Sequence, residues 1–559
     1  MVKRSSAGGA VIDPAFSTFR VGSVSKLFTW TAVMQLVEQG KLDLDTDVNA
    51  YLQGMQLPRT FAAPVTLRSL MTHTAGFEEG SLFYLTALDP QQQLSIGETM
   101  TRHMAVRVRP PLTLSAYSNY GAALAGLIVE QVSGTAFNDY VRLNIFEPLG
   151  MRFSTFEEPL PARLQGHEVG GYEFENGEYV KRPFEIIGGW RPAGSASAPA
   201  LDMTRFMLAY LQGGEYEGRR ILRPETVASM HSTAFRNDER LSGMALGFYE
   251  WSVNGLRVVG HAGDTDFFHT ELALLPEQQL GLFISFTGGG SSEIRSGLLK
   301  ALADRYFPRP VQPSPAVPTN FAQVARQYVG AYQPSRRNIS DIYKLMNLAM
   351  QIEVASDAAG RLLVGGAGGE KRLFIPVGEH LFQEVGGEQR IAFRVDPSGH
   401  ATHLFFDGEP YWGAERTPWY ESPRLARLLL GFCIVTFIVV PFVLRRCSPH
   451  ANQRTHGWAV RLANGTSAWA LLTIFAAVVT VLSYADAAFY GVPAAIKMVL
   501  LLPLIFAAAT AIQIGATVKV WADRCWTLSQ RLVYTFSGVA AVILCILFYQ
   551  WNVFGWQFG

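Results

Sequence analysis

The chain has 559 residues, 49% of them hydrophobic and 17% charged, and its formal net charge is +1. This length is sufficient for more than one domain. A charge balance so close to neutral gives no indication of nucleic-acid binding. All the cysteines lie in the last quarter of the chain, so the preceding part has no disulfide and no cysteine nucleophile; they are Cys433, Cys447, Cys525 and Cys545.

The first predicted element is an amphipathic helix in the segment "GSVSKLFTWTAVMQLVEQG", which Gly40 is placed to end. Ser23 lies at its N-terminus, and Lys26 follows one turn later on the same face. A serine hydroxyl becomes a nucleophile when a neighbouring base, such as a desolvated lysine, takes its proton. Backbone N–H groups at a helix start can stabilise the resulting oxyanion. The alternative is a helix-capping serine beside a solvated lysine.

Two later segments carry polar residues in patterns that favour the catalytic interpretation. The segment "AYSNYGAALAGLIVEQVSG" places Tyr117 and Asn119 just ahead of another amphipathic helix. The segment "VVGHAGDTDFF" places His261 and Gly263 at the end of a predicted strand, and two more strand patterns follow it. Each pattern alone also fits packing, turn or loop residues. Their combination, in this order, is specific.

With these motifs the sequence resembles the serine β-lactamase and penicillin-binding-protein superfamily, in particular its class C β-lactamase-like serine hydrolases. The resemblance runs from about Phe19 to Phe307 and includes the segments "LMTHTAGF", "NIFEPLGM" and "GGEYEGRRILRPETVASM". It implies an α/β (α+β) β-lactamase/transpeptidase-like fold, an antiparallel sheet with a helical subdomain. It also implies that Ser23 is the acylated nucleophile, Lys26 its base, and Tyr117 the relay of protons to and from the leaving group, with no cofactor.

The resemblance further implies a set of substrate-binding groups. Asn119 would hydrogen-bond the substrate amide, His261 stands where many relatives carry lysine, and Gly263 keeps its strand open for substrate. The backbone N–H groups of Ser23 and Asp264 would form the oxyanion hole. Histidine at position 261 is expected to titrate near neutrality, and the acid at 264 is expected to disfavour anionic substrates. An esterase or amide hydrolase therefore fits at least as well as a β-lactamase.

Beyond this region the composition of the sequence changes twice before the C-terminal apolar runs. A proline-rich run, "FPRPVQPSPAVPTN", predicts an extended linker, and the short β-type runs that follow predict a small all-β domain. We therefore expect a hydrolase domain at 1–307, a linker at 308–318, a β-rich domain at 319–420 and a membrane region at 421–559.

Four apolar runs near the C-terminus each approach or reach the length of a transmembrane helix. They are "LLLGFCIVTFIVVPFVL", "TSAWALLTIFAAVVTVLSYA", "MVLLLPLIFAAATAIQIGATV" and "LVYTFSGVAAVILCILFYQ". Arginines between the first two runs, and Lys519, Arg524 and Arg531 after the third, predict that these two connections are cytoplasmic. The N-terminal part and the C-terminus would then lie outside, as in a multi-pass protein of a bacterial cytoplasmic membrane.

The start of the chain raises a separate expectation. The segment before Ser23 is too short for the helix and strands that precede the Ser-x-x-Lys helix in the family it resembles, and no signal peptide is visible. The sequence therefore predicts that residues are missing ahead of Met1; a partner chain that completes the sheet, or a decayed protein, is the alternative.

Taken together, the sequence predicts a membrane-anchored serine hydrolase that acts on extracytoplasmic amides or esters, with a small molecule or a cell-wall peptide as substrate and the lipid bilayer as its other partner. The rival hypothesis is a catalytically silent protein that binds or senses an envelope ligand. A transporter is less well supported, because the apolar runs show no paired acids. Substrate identity and oligomeric state are left open.

Overall fold

The computed structural model describes residues 11–79, 86, 93–288, 291–309, 321–366, 369–446, 453–488 and 492–558, without the side chains of 291–293, 446, 453–456 and 485–488. The chain divides into two compact units, Met1–Arg337 with Ile352–Arg416, and Asn338–Gln351 with Thr417–Gly559. The first unit holds an N-terminal domain, residues 11–309, and a β-barrel. The second holds the long apolar helices.

The helices of the N-terminal domain are α1 (Ser25–Glu38), α2 (Leu67–Met71), α3 (Ile96–Arg102), α4 (Asn119–Ser133), α5 (Phe137–Val141), α6 (Arg191–Gly194), α7 (Ala200–Leu211), α8 (Pro224–His231) and α9 (Ser291–Tyr306). The sequence predicted that α1 is amphipathic, and this is wrong. Helices α4, α5 and α6 all pack against α1, and side chains on its different faces, such as Leu27, Phe28 and Trp30, have no exposed surface. Burial of an aliphatic or phenyl side chain contributes about 1.5–3 kcal/mol, so α1 is the centre of the domain core.

A six-stranded antiparallel sheet lies beside these helices, with the strand order β12-β11-β10-β9-β8-β7. Its strands are β7 (Thr233–Phe235), β8 (Met244–Ala245), β9 (Tyr249–Val253), β10 (Leu256–Asp264), β11 (Phe268–Leu275) and β12 (Leu280–Thr287). Three two-stranded pairs complete the domain: β1 (Phe19–Arg20) with β4 (Ser197–Ala198), β2 (Gly171–Glu175) with β3 (Glu178–Arg182), and β5 (Glu215–Tyr216) with β6 (Arg219–Arg220).

Two predictions concern the borders of this domain. Among the described strands, β12 pairs with one other strand, β11. This pairing does not test the prediction that further residues precede Met1, which stays a prediction. Most of the predicted linker, 310–318, lies outside the described residues. The predicted domain boundaries also stay predictions.

The small all-β domain predicted from the sequence is a closed eight-stranded barrel, preceded by the short helix α10 (Phe321–Ala325). Its strands are β13 (Gly330–Pro334), β14 (Ile352–Ser356), β15 (Leu362–Gly366), β16 (Arg372–Gly378), β17 (Leu381–Glu384), β18 (Arg390–Val395), β19 (Ala401–Phe406) and β20 (Ala414–Arg416). Each strand pairs with its neighbour in the chain, and β13 closes on β20. Closure removes the unpaired edges of an open sheet.

The barrel packs against residues 109–119 of the N-terminal domain. The guanidinium of Arg109 donates to the carboxylate of Glu415 at 2.5 Å, and the Ser335 hydroxyl donates to the Ser115 carbonyl at 2.7 Å. An apolar cluster shared by both domains contains Leu114, Leu241, Ala392 and Phe405. These contacts hold the barrel next to the segment that carries Tyr117 and Asn119.

The second unit contains α11 (Pro423–Arg446), α12 (Gln453–Ala488), α13 (Ala494–Val499), α14 (Leu502–Ala522) and α15 (Leu528–Gln550). Within the described residues, four stretches are long and apolar enough to cross a membrane: Pro423–Arg445, Gly457–Tyr484, Ala494–Ala522 and Leu528–Gln550. Small residues such as Ala540 and Ala541 are buried between the helices, as in membrane bundles where close backbone approach stabilises packing.

Candidate active site

Ser23 and Lys26 lie at the point where the chain enters α1. Ser23 belongs to a 3-10 turn, Gly22–Val24, that leads directly into the helix, and the Lys26 Nζ is 3.0 Å from the Ser23 Oγ. Lys26 is fully buried and also donates to the Asn119 Oδ1 at 2.8 Å and to the Ala193 carbonyl at 2.7 Å. Burial, followed by the positive charge of Arg336, lowers the pKa of Lys26 well below its usual value, while Glu79 opposes this shift.

Tyr117, two residues before α4, and Asn119, the first residue of α4, lie beside Ser23 and Lys26. The Lys26 Nζ lies 4.8 Å from the centre of the Tyr117 ring. The Tyr117 hydroxyl is buried and has no hydrogen-bond partner of good geometry among the described residues; burial raises its pKa, and the nearby Ser23 and Arg336 oppose the rise. The His73 ring packs 4.3 Å from the Tyr117 ring, and the His73 Nδ1 accepts from the Ser118 N–H at 3.2 Å, which fixes this turn.

Gly263 brings strand β10 close to the nucleophile. A Cβ at this position would lie 2.1 Å from the Val21 carbonyl oxygen and 2.9 Å from the Ser23 nitrogen. A Cβ at Gly22 would likewise lie 2.9 Å from the Asp264 nitrogen. Only glycine permits this approach, and it places the backbone of Ser23 beside that of Asp264.

His261 lies on β10 and lines the same cavity, but its charge state differs from the sequence-based expectation. Burial, assisted by the charge of Lys26, lowers the pKa of His261 to about 3. The expectation that it titrates near neutrality is therefore wrong, because the ring is 1% exposed and packs against Tyr117 and Tyr249. Its Nδ1 lies 2.5 Å from the Ala262 carbonyl oxygen, and its buried Nε2 has no partner among the described residues.

The Asp264 carboxylate is ion-paired. The Arg295 Nη1 donates to the Asp264 Oδ1 at 2.7 Å, and the His269 Nδ1 lies at the same distance from that oxygen. Although burial opposes it, hydrogen bonds from His269 and Arg295 lower the pKa of Asp264. The negative charge that the sequence places beside the nucleophile is therefore balanced by Arg295 on α9.

Five of the seven predicted site residues line one cavity of ≈ 270 Å³, and the other two, Lys26 and Gly263, lie directly behind Ser23. Its described lining residues are Ser23, Tyr117, Asn119, Ile187, Ala193, Gly194, Tyr249, His261, Ala262, Asp264, Arg336 and Tyr411. Sequence reasoning missed Tyr249, Arg336 and Tyr411. Tyr249 lies at the cavity because its strand, β9, pairs with β10. Arg336 and Tyr411 come from the barrel, and no local sequence pattern links them to Ser23.

The cavity combines a hydroxyl group, a buried amine and adjacent backbone N–H groups, a set that suits acyl transfer. In the described part of the chain, no group of three or more His, Cys, Asp or Glu side chains is arranged to hold a metal ion.

Comparison with known proteins identifies the family. The family model described as Beta-lactamase matches residues 14–305, just over half of the chain. The chain therefore belongs to the β-lactamase and penicillin-binding-protein family, and it is a hydrolase of that family.

Three individual relatives each share 30% sequence identity or less with this chain. The chain is similar to penicillin-binding protein 4 of Amycolatopsis lactamdurans, with 28% identity over 53% of this chain and 78% of the relative. It is also similar to β-lactamase-like protein 2 of Dictyostelium discoideum, with 26% identity over 48% of this chain and 49% of the relative, and to the putative penicillin-binding protein PbpX of Bacillus subtilis (strain 168), with 30% identity over 36% and 48%. The chain thus spans about half the length of the last two proteins.

Among solved structures, the crystal structure of SurE has a similar fold, with a TM-score of 0.53 and 20% identity over 74% of this chain and 91% of SurE. This coverage exceeds the residues that the family model matches, so the similarity in fold extends beyond the N-terminal domain.

Proposed function

We propose that this protein is a membrane-anchored serine hydrolase that forms an acyl-enzyme at Ser23 and acts outside the cytoplasm on amide or ester substrates. The contact between the Ser23 Oγ and the Lys26 Nζ at 3.0 Å is the observation that carries the proposal. The family relationship supports a hydrolase. The similarity to penicillin-binding proteins supports D-amino-acid peptides of the cell wall and β-lactams as substrate classes, and we include small esters because acyl transfer at a serine suits them as well.

The hydrogen-bond partners of Lys26 are compatible with its neutral form. A neutral amine has two N–H donors and one lone pair, whereas an ammonium has three donors and no acceptor. Asn119 and the Ala193 carbonyl accept two hydrogen bonds, so a neutral Lys26 has its lone pair available for the Ser23 proton. Burial in the domain core favours the same form, because desolvation penalises the charged amine.

In the proposed reaction, Lys26 takes the hydroxyl proton while the Ser23 Oγ attacks the substrate carbonyl carbon. The backbone N–H groups of Ser23 and Asp264 receive the negative charge that develops on the carbonyl oxygen. Tyr117 relays the proton that Lys26 took from Ser23 to the leaving group as the scissile bond breaks, which leaves the acyl group on Ser23. Water then attacks the acyl carbonyl carbon, and one of its protons passes through the same groups to the Ser23 Oγ as the bond between the acyl group and Ser23 breaks. This step releases the free acid and restores the Ser23 hydroxyl.

The binding roles rest on position in the cavity. Asn119 holds Lys26 and would also bind the substrate amide. His261 is neutral at pH 7 and presents a hydrogen-bonding surface without charge, and Gly263 lets β10 lie against the turn that carries Ser23. The bacterial cytoplasmic membrane, with the N-terminal domain on its outer side, is the proposed location.

Covalent labelling with a fluorophosphonate tests the proposal. We expect the purified full-length protein in detergent to be labelled on Ser23, as located by peptide mass spectrometry, and Ser23→Ala to remain unlabelled. Ser229→Ala, a change at an exposed serine of α8, is the matched control and should be labelled like the wild type. A folded wild-type protein without label on Ser23 would support the rival hypothesis of a silent binding protein.

A further inference from the structure

Part of the cavity wall comes from the barrel. Arg336, which follows strand β13, and Tyr411, which precedes β20, line the cavity together with Ser23. The Tyr411 ring lies 5.9 Å from the Tyr117 ring and 4.9 Å from the Tyr249 ring. The barrel therefore forms one side of the site in which the proposed chemistry takes place.

Arg336 is held in a defined position. Its Nε donates to the Glu79 Oε2 at 2.5 Å, and its guanidinium lies 4.9 Å from the centre of the Tyr117 ring. The Glu79 N–H donates in turn to the Arg337 carbonyl at 3.2 Å, so the two segments support each other. Cation–π contact and ion pairing at one edge fix a guanidinium without consuming all of its donors.

The other edge of this guanidinium is open. The two terminal nitrogens of Arg336 donate to no described residue, and 37% of the side chain is exposed. Two parallel N–H groups of this kind match the geometry of a carboxylate. The Glu79 carboxylate accepts a hydrogen bond from the Nε of Arg336 and from neither terminal nitrogen. A second anion can therefore bind to the two terminal nitrogens.

Among the described lining residues, Arg336 alone supplies a permanent positive charge. Of the twelve described residues that line the cavity, Arg336 is the only lysine or arginine. His261 is neutral because of its burial, and the charge of Asp264 is already balanced by Arg295. An anionic part of a substrate therefore has one favourable partner in this cavity.

We propose that Arg336 of the barrel binds a carboxylate of the substrate, so that the enzyme selects acids over the corresponding neutral amides or esters. The inference rests on the proposed function of Ser23, and it names a charged class of substrate for that site. It also replaces the expectation that this site disfavours anions, because the cation comes from another domain instead of from position 261.

A pair of fluorophosphonates tests the proposal. Both carry a short alkyl chain, one ending in a carboxylate and the other, of equal length, in a carboxamide, in a series of chain lengths. The second-order rate constant for labelling Ser23 is measured on the full-length protein in detergent. A hydrogen-bonded charge pair corresponds to a preference for the carboxylate probe of about 10- to 100-fold at the best chain length.

Variants assign this preference to Arg336. We expect Arg336→Gln to abolish it while the carboxamide probe still reacts, and Arg336→Lys to keep part of it. Arg337→Gln is the matched control: this neighbour pairs with Glu415 at 2.6 Å and is not among the lining residues, so the preference should persist.

Each remaining outcome has a distinct meaning. Equal rates for both probes on the wild type would overturn the inference and leave the proposed function intact, as would a preference that survives in Arg336→Gln. A folded wild-type protein that neither probe labels would overturn the proposed function, and the inference with it.

Discussion

Lys26, a fully buried amine, touches the Ser23 hydroxyl, the Asn119 amide oxygen and the Ala193 carbonyl. A capping serine beside a solvated lysine would show none of these contacts. The helix start is therefore a packed, polar element inside the core, where a cation is costly unless it is compensated.

Substitutions at three residues test the catalytic roles directly. We expect Ser23→Ala to abolish turnover, and Lys26→Ala and Tyr117→Phe each to lower kcat by about 10³-fold or more, because members of a coupled set act as a unit. The measurement is kcat on an ester or amide that the wild type hydrolyses, beginning with p-nitrophenyl acetate. Thermal unfolding must show that each variant is folded. Wild-type turnover by Ser23→Ala would refute the assignment.

The charge state of His261 gives a pH prediction. Since the pKa of this side chain is about 3, the imidazole stays neutral and contributes no inflection to kcat/KM between about pH 5 and 8, where an unperturbed histidine titrates. His261→Gln should therefore leave the shape of the pH profile in this range unchanged, even if it alters the magnitude. Loss of an inflection near pH 6.5 in His261→Gln would show that the histidine titrates there after all.

At the scale of elements, the segment 109–119 depends on the barrel. The Glu415 carboxylate receives Arg109 at 2.5 Å and Arg337 at 2.6 Å. Although burial opposes ionisation, the hydrogen bonds and charges of these arginines lower the pKa of Glu415 to about 2. The barrel thereby supports the turn that presents Tyr117 and Asn119.

From the ion pairs of Glu415 we predict that the free energy of unfolding depends on pH. A carboxyl group whose folded pKa is depressed stabilises the fold fully above its unfolded pKa of about 4.3, and the stabilisation is lost as the pH falls through the folded pKa. The shift corresponds to ~3 kcal/mol in the free energy of unfolding. We expect Glu415→Gln to lower the melting temperature at pH 7, and the difference from wild type to shrink at pH 3.

Glu147→Gln is the control for this prediction, because Glu147 pairs with Arg142 on the surface, where an ion pair contributes about 0–1 kcal/mol. We also expect Glu415→Gln to lower kcat/KM, since the turn that carries Tyr117 loses support. A Glu415→Gln protein with unchanged melting temperature and kcat/KM would show that the barrel contact is dispensable.

At the scale of the whole molecule, the charge bias of the membrane region predicts its orientation. Arg445 lies at the C-terminal end of α11, and the connection that follows, 447–452, lies outside the described residues. Lysines and arginines remain on the cytoplasmic side, so we expect the N-terminal domain and the C-terminus outside and the loop near Gly457 inside.

Reporter fusions after Ser422, near Gly457 and at Gly559 measure this orientation. Alkaline phosphatase should be active at the first and third positions and inactive at the second. Activity near Gly457, together with none at Gly559, would reverse the proposed topology and would place the hydrolase site on the cytoplasmic side.

Local patterns in the sequence determined much of this protein. The Ser23 to Lys26 spacing, the Tyr117 to Asn119 spacing, the strand ending in His261 and Gly263, and the four apolar runs can each be recognised within a single element. Helical and strand periodicity place such residues without knowledge of the rest of the chain.

Tertiary structure alone decided the environment of these residues. The neutrality of His261 and the depressed pKa of Lys26 follow from burial, which depends on how α4 and α6 pack around α1 and on how β10 packs against the turn that leads into α1. Arg336 and Tyr411 reach the cavity because the barrel closes and packs against residues 109–119. No periodicity in the sequence encodes a contact between side chains so far apart in the chain, since the contact forms only when the barrel packs against the N-terminal domain.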